Sequence, residues 1–220
     1  MARSIASFTF ADVRSVLAGK AVGGKRLADQ LAVLWHIRAL RHVFAAVRQQ
    51  RRLSVRFVEE LRSILGCGSP DGRVRYREEP DDNGRYAAEQ VAELVARTRC
   101  SVMHPIAQAG TFIIDFLLAS PFDDENERTA YLVANFLLMR RGYPPVVIYR
   151  ALFNAAAKYR LRRKQLIDGD KTVSRLGMRM PARVFPSLRS GFFTAVVARA
   201  VRWSCKKDLH LVLNTLHGLD

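Results

Sequence analysis

A polar segment with the sequence SPFDDENER, residues 120–128, holds the residue types best suited to chemistry in this chain of 220 residues. A helix is predicted to begin at about Asn126, so its unpaired backbone N–H groups face the segment. Unpaired amides and the helix dipole both attract negative charge, which predicts an anion site here. Four carboxylates lie within residues 123–127. They allow a second interpretation, in which the acids only stabilise the positive end of the helix dipole.

Two apolar helices must position this segment. The first is predicted to start at His104 and Pro105, because proline is tolerated in the first turn of a helix, and to continue to Leu118. The second is predicted from Asn126 to Arg141, where a glycine and two prolines end it. Both are apolar enough to be core helices, so they would hold the anion site rigidly.

Helical periodicity also dominates the rest of the chain. An extended stretch at residues 73–77, followed by turn-forming residues at 79–84, predicts one small β-hairpin. The other predicted helices cover residues 10–20, 26–50, 54–65, 87–97, 146–159, 189–202 and 208–216. The predicted fold class is therefore mainly α.

The charge of the chain is strongly positive. There are 36 Lys and Arg residues against 20 Asp and Glu residues, which gives a formal charge of +16. Such a charge attracts polyanions, whether nucleic acid, an anionic membrane surface, nucleotide phosphates or an acidic protein partner. Many of the arginines also have helical spacing, which is typical of a solvated helix face. Charge alone does not choose among these interpretations.

The cysteines and the N-terminal segment are informative about the cellular compartment of the protein. Cys67, Cys100 and Cys205 are far apart and form no CxxC pair, which argues against a metal site or a disulfide framework and fits a reducing cytosol. An aspartate interrupts the first apolar stretch, which makes it a poor signal peptide. No apolar run approaches the ~18 residues that span a bilayer. We expect a cytoplasmic protein with no transmembrane segment, and delivery by a specialised secretion system is compatible with this.

The polar segment and its two helices resemble the core of the Fic/Doc (Fido) superfamily. The similarity extends from His104 to Ile148 and needs no gap. It includes SPFDDENERTA at residues 120–130 and GYPPVVI at residues 142–148. Upstream, the sequence GRVRYR resembles the start of the flap hairpin that docks the target segment in this family, with Arg73, Val74 and Arg75 as the candidate flap residues.

The resemblance covers about half of the chain and implies its organisation. It predicts a Fic-like helical core with one small β-hairpin flap at residues 53–160. The flanking residues, 1–52 and 161–220, would be helical N-terminal and C-terminal extensions. Because these extensions lie outside the resemblance, a function specific to this protein could be located in them.

Fic enzymes usually transfer AMP from ATP to a hydroxyl group of a target protein. Their loop, of the form HPFx(D/E)GNGR, supplies a histidine base, an acid that binds magnesium, an amide anion hole and an arginine that binds phosphate. The base accepts the hydroxyl proton. The metal ion and the amides stabilise the charge that develops on the phosphates.

Transferred to this sequence residue by residue, the resemblance assigns Asp124 as the magnesium ligand, if a metal is bound at all. Asn126 and Arg128 match the anion-hole and phosphate positions, and Glu125 and Glu127 lie beside them in the nucleotide site. Phe122 matches the conserved aromatic of the motif and is expected to be a core plug that holds the loop in place.

Several positions depart from the family motif. Ser120 stands at the histidine position, and serine has no group that titrates near neutral pH, so it is not a competent general base unaided. Glu125 and Glu127 replace two glycines, and side chains there obstruct the approach of phosphate to the backbone. Tyr131 stands where a second arginine often follows.

Three hypotheses follow from the sequence. The first is a Fic-fold protein with a degenerate motif, deficient in standard AMP transfer, that acts through a protein partner or through a divergent transfer reaction. In the divergent reaction the donor could be another phosphate-linked molecule such as a sugar nucleotide. The second is an active Fic-type transferase that uses magnesium with ATP, or another phosphate-linked donor, to modify a protein hydroxyl. In it Asp123, Asp124 or Glu125 would be the base. The third is a basic module that binds nucleic acid or an acidic protein.

Overall fold

The computed structural model describes residues 8–66, 74–80, 84–146, 194–195 and 197–205. The protein is mainly helical in this part of the chain, as the sequence predicts. The last two ranges are helical as well. The helices before them are α1 Phe10–Leu17, α2 Leu27–Arg48, α3 Val55–Leu65, α4 Ala87–Arg99, α5 Pro105–Ala119 and α6 Asn126–Met139.

The helices begin and end at residues with clear capping roles. The side chain of Thr9 accepts a hydrogen bond from the N–H of Asp12, whose carboxylate accepts one from Thr9 in return, and this capping box starts α1. Ser54 caps α3 in the same way through the N–H of Phe57, 3.2 Å away. Gly142 follows α6 with a φ of 82°. Because glycine adopts this left-handed conformation without strain, Gly142 lets the chain turn away three residues after the last residue of α6.

Helices α5 and α6 pack against each other and form the centre of the molecule. On one side Phe112 and Phe116 join a large core cluster that includes Phe57 and Phe136, whose ring centroids are 4.5 Å apart. On the other side a second cluster includes Val197 and several apolar residues of α5 and α6. Both helices are apolar on two faces because each is buried on two sides.

Helix α2 also contributes to the large core cluster. Its residues Ala39, Val43 and Ala46 are buried there together with Phe57 of α3. The side chain of Glu60 on α3 then joins the two helices at the surface, 2.9 Å from His42 on α2. Helix α2, which lies in the predicted N-terminal extension, therefore packs directly on the predicted core.

A short extended segment, residues 74–77, lies beside the loop between α5 and α6. Tyr76 forms an isolated antiparallel bridge with Phe122. The N–H of Arg77 donates to the carbonyl of Pro121 over 2.8 Å. Two parts of the predicted hairpin, residue 73 and residues 81–83, lie outside the described residues. The same holds for residues 147–159 and 208–216, where two further helices are predicted. What the structure describes is the pairing of this segment with the loop.

Candidate functional site

The loop between α5 and α6, residues 120–125, begins with a serine in the left-handed conformation. Ser120 has φ 41° and ψ 59° and follows the last residue of α5. Its N–H donates to the carbonyl of Phe116, and its hydroxyl donates to the carbonyl of Leu117, each over 2.8 Å. The hydroxyl proton of Ser120 is therefore used to cap the end of α5.

Phe122 is the aromatic plug that the sequence predicts. Its side chain is buried, with a relative exposure of 2%. The ring centroid lies 5.0 Å from that of Tyr76 and 5.9 Å from that of Phe116. The loop is therefore anchored from both sides, by the extended segment above it and by α5 below it.

Asn126, the first residue of α6, fixes the backbone of this plug. Its Oδ1 accepts a hydrogen bond of 3.0 Å from the N–H of Phe122, and its Nδ2 donates one of 2.6 Å to the carbonyl of the same residue. The side-chain amide is thus engaged at both ends in shaping the loop. Further along α6, Asn135 holds the backbone of Val146 in the same way. Its Oδ1 accepts a hydrogen bond of 2.7 Å from the N–H of Val146, and its Nδ2 donates one of 3.1 Å to the carbonyl of Val146.

Glu125 occupies the position immediately before α6 and adopts a conformation that favours glycine. Its φ is 54° and its ψ is 14°. The carbonyl of Glu125 accepts hydrogen bonds from the N–H and the hydroxyl of Thr129, over 3.0 and 2.8 Å. The backbone therefore retains a left-handed turn although the residue carries a long side chain, at a cost of about 1–2 kcal/mol.

The carboxylate of Glu125 turns towards Arg128 on the first turn of α6. Its Oε2 lies 3.2 Å from Nη1 of Arg128. Each side chain has a relative exposure of 15%. The pair is therefore mostly shielded from water, and the arginine that the sequence assigns to phosphate already has an anionic partner within the loop.

Asp124, the predicted magnesium ligand, forms an ion pair with Arg62 of α3. The side chain of Asp124 is 64% exposed, whereas that of Arg62 is only 4% exposed. Sequence reasoning did not identify Arg62. A signal was present, since Arg62 lies on the buried stripe of α3, together with Phe57, Val58, Leu61 and Leu65. A lone arginine on such a stripe needs a partner that compensates its charge.

Two titratable groups lie near the start of α6. Burial, reinforced by the positive charge of Arg128, lowers the pKa of His36 on α2 to about 4. Its Nδ1 is buried and has no hydrogen-bond partner in the described part of the chain. Burial, with a smaller effect of Glu127, raises the pKa of Tyr131. Near neutral pH both rings are uncharged. No sequence pattern indicates that His36 lies near Arg128.

The structure brings most of the predicted site residues together. Ser120, Asp124, Glu125, Asn126 and Arg128 lie in one loop and the helix turn that follows it. Glu127 lies in that same first turn of α6. The extended segment that contains Val74 lies next to them, since the carbonyl of Arg75 accepts a bond of 3.4 Å from the N–H of Asp123. Arg73 lies outside the described residues.

The arrangement does not fit magnesium at Asp124 together with phosphate at Arg128. Magnesium would share the carboxylate of Asp124 with the guanidinium of Arg62, which repels it, and phosphate would compete with Glu125 for Nη1 of Arg128. Within the described ranges, no group of three or more His, Cys, Asp or Glu residues is placed to hold a metal ion. In that same part of the chain, no helix combines the length and the apolarity needed to cross a membrane.

Comparison with known proteins gives a consistent result. The protein adenylyltransferase Fic of Drosophila ananassae is 30% identical over 154 residues, which are 64% of this chain and 31% of the relative. That of Drosophila melanogaster is 29% identical over the same shares. The chain thus spans less than a third of the length of these curated relatives. No family model matches the chain.

Solved structures show the same fold. Fic-1 from C. elegans aligns with 95% of this chain and 60% of its own length, with a TM-score of 0.69 and 23% identity. A Fic domain containing signaling protein from Bacteroides thetaiotaomicron aligns with 90% of this chain and 75% of its own length, with a TM-score of 0.59 and 21% identity.

Proposed function

We propose that this chain, which belongs to the Fic/Doc (Fido) superfamily and is related to its protein adenylyltransferases, does not perform the standard AMP transfer and acts by binding a protein partner. The observation that carries the proposal is the ion pair between Glu125 and Arg128. In the family motif a glycine at the position of Glu125 leaves the arginine open to phosphate. Here the loop supplies its own anion in place of the donor.

The lack of a base supports the proposal. Ser120 stands at the histidine position, and its hydroxyl proton is donated to the carbonyl of Leu117. Removal of a general base typically costs ~10²–10⁴-fold in rate. Burial holds His36 in its neutral form. However, His36 lies on α2 and not at the loop position of Ser120, where the family motif has its histidine base.

The charge of the loop supports the proposal as well. Asp123, Asp124, Glu125 and Glu127 surround the place where a triphosphate would bind. Two arginines, Arg62 and Arg128, offset part of this charge and are used by the loop itself. A triphosphate that enters the site therefore competes with Asp124 for Arg62 and with Glu125 for Arg128.

Features that maintain the scaffold are retained, which supports a binding role. Phe122 remains buried and Asn126 still clamps its backbone. The extended segment at Val74 and Arg75, which matches the part of the flap that docks the target in the family, lies against this loop. We assign the protein partner to the extended segment, where the exposed side chain of Arg75 favours an acidic peptide.

A second candidate function is a divergent transfer from another phosphate-linked donor, such as a sugar nucleotide. It is favoured by the left-handed backbone of Glu125, a conformation that suits the glycine of the family motif. This backbone places a turn in front of the first amides of α6, where a phosphate group could bind. Asp123, Asp124 or Glu125 would then serve as the base. In this case a donor other than ATP should modify a protein hydroxyl.

Labelling with radioactive ATP and magnesium in a cell lysate tests the first proposal. We expect no modified protein with the wild-type chain. The variant Ser120→His, Glu125→Gly, Glu127→Gly, Arg62→Gln restores the base, removes both obstructing side chains and releases the carboxylate of Asp124, so it should label protein. The single variant Ser120→His is the matched control and should stay inactive, because Arg128 remains paired. Labelling by the wild-type chain would contradict the proposal.

Two further measurements separate the alternatives. Labelling with sugar nucleotides in place of ATP, lost in Arg128→Gln, would support the divergent transferase. Affinity for duplex DNA that falls steeply as salt rises would support the basic nucleic-acid module instead. Binding of neither donor nor DNA, together with saturable binding of an acidic peptide that depends on Arg75, is the result expected from the partner-binding proposal.

A further inference from the structure

We infer that Arg62 takes the place of the divalent cation in this loop, so that Asp124 is the counter-ion of a buried arginine and not a metal ligand. The inference concerns the electrostatics of the loop. It holds whether or not the chain transfers any group.

The burial of Arg62 is the first argument. Its side chain has a relative exposure of 4%, and its Nη2 forms the ion pair with Asp124. Its Nε and Nη1 are also buried and have no hydrogen-bond partner among the residues that the structure describes. A buried guanidinium is costly unless an anion compensates its charge. In the described part of the chain, the carboxylate of Asp124 is the acceptor that provides this compensation.

The way in which Arg62 is seated is the second argument. A Cβ atom at residue 66 would collide with Nη1 of Arg62, so the absence of a side chain at Gly66 makes room for the guanidinium. On its other side the guanidinium carbon lies 6.0 Å from the centroid of the Phe122 ring. Arg62 is therefore held between the end of α3 and the plug of the loop, and it directs one amino group at Asp124.

The coordination chemistry of magnesium also conflicts with the position of Arg62. Magnesium binds carboxylates in a near-ideal octahedron of oxygen ligands. A guanidinium already in contact with Asp124 takes up one side of this carboxylate and adds a positive charge at short range. In a partly buried site two like charges at such a distance repel each other strongly. The arginine and the metal ion are therefore alternatives at Asp124, and the structure contains the arginine.

Manganese binding, followed by water-proton relaxation, tests this inference on the full chain. The probe is Mn²⁺ as a paramagnetic substitute for magnesium. We expect Arg62→Gln to bind Mn²⁺ at least about tenfold more tightly than wild type, because the carboxylate of Asp124 is released. The double variant Arg62→Gln, Asp124→Asn should lose this gain. Arg62→Lys, which keeps the positive charge, should resemble wild type.

Two variants guard against indirect effects. Arg56→Gln removes an exposed arginine of the same helix, 87% exposed, and should leave Mn²⁺ binding unchanged. Arg62→Met keeps most of the apolar bulk of the buried side chain but removes its charge, and should show the same gain as Arg62→Gln. It decides the question if Arg62→Gln lacks a native circular dichroism spectrum.

The inference is overturned if wild type binds Mn²⁺ through Asp124 as tightly as Arg62→Gln does. It is equally overturned if neither protein binds the ion, because Arg62 would then not be what excludes it. Since the assay contains no nucleotide and no target protein, its outcome is independent of the labelling experiments. An active wild-type chain with no manganese site would leave this inference intact and overturn only the proposed function.

Discussion

The Oε2 atom of Glu125 lies 3.2 Å from Nη1 of Arg128, three residues further along the chain. Two properties of Glu125 make this contact. Its backbone is left-handed, so α6 begins directly after it, and its side chain then points along the first turn towards Arg128. Glu125 thus combines a left-handed backbone, which favours glycine, with a negative charge placed beside Arg128.

The backbone of Glu125 gives a prediction about stability. Glu125→Gly and Glu125→Ala both remove the carboxylate, but only alanine keeps a Cβ atom at a φ of 54°. We expect the glycine variant to be more stable by about 1 kcal/mol in free energy of unfolding, measured by urea denaturation. The same two changes at Glu127, inside the first turn of α6, are the control. There alanine should be favoured by about 0.5–1 kcal/mol.

The clamp of Asn126 on Phe122 gives a local prediction. In Asn126→Ala the N–H of Phe122 loses its acceptor, so its hydrogen exchange, measured by NMR, should accelerate. The free energy of unfolding should fall by about 1–3 kcal/mol. Asn135→Ala is the matched control, because it removes the same clamp from Val146. It should accelerate the hydrogen exchange of the Val146 amide and leave that of the Phe122 amide unchanged. An unchanged Phe122 amide in Asn126→Ala would refute the clamp.

The plug itself should dominate the stability of the loop. Phe122→Ala removes a ring that is 2% exposed, and we expect a loss of about 3–5 kcal/mol in free energy of unfolding. The control is Phe10→Ala, since Phe10 is 79% exposed, and its effect should stay within about 0.5 kcal/mol. Both are measured by urea denaturation. Equal effects of the two substitutions would mean that Phe122 does not anchor the loop.

His36 predicts a dependence of stability on pH. Its pKa is about 4 in the folded protein and 6.5 as a free side chain, so the unfolded chain binds more protons between these values. The stability from the neutral ring is therefore complete above pH 6.5 and is lost as pH falls towards 4. The loss amounts to about 3 kcal/mol at most.

The variant His36→Gln tests this. Urea denaturation between pH 7 and about pH 4 should show a smaller loss of stability than in wild type, because the unfolded state of the variant no longer takes up that proton. His42→Gln is the control. It changes a second histidine of α2, which contacts Glu60 instead of Arg128, and should retain the acid-dependent loss. An identical pH dependence in wild type and His36→Gln would contradict the burial of this ring in its neutral form.

Much of the helical framework could be predicted from the sequence, because helix signals are local. Apolar spacing placed α3, α5 and α6 to within a few residues of their ends, and Ser54 and Pro105 marked two helix starts. The left-handed positions of Ser120 and Glu125 were less accessible, since neither residue is a glycine. They are imposed by the geometry of the loop between two packed helices, which outweighs the local preference of the side chains.

The sequence by itself determined that two apolar helices flank an acidic loop, and it predicted that Phe122 plugs this loop and that Ser120 stands where the resemblance expects a base. Only the tertiary structure decided what the charges of the loop contact. Arg62 meets Asp124 across 62 positions of the chain, and His36 comes near Arg128 because α2 packs against α6. Such pairs depend on how the helices stack around the core. No local pattern encodes this, because burial and Coulomb energy act between groups that are close in space and not in sequence.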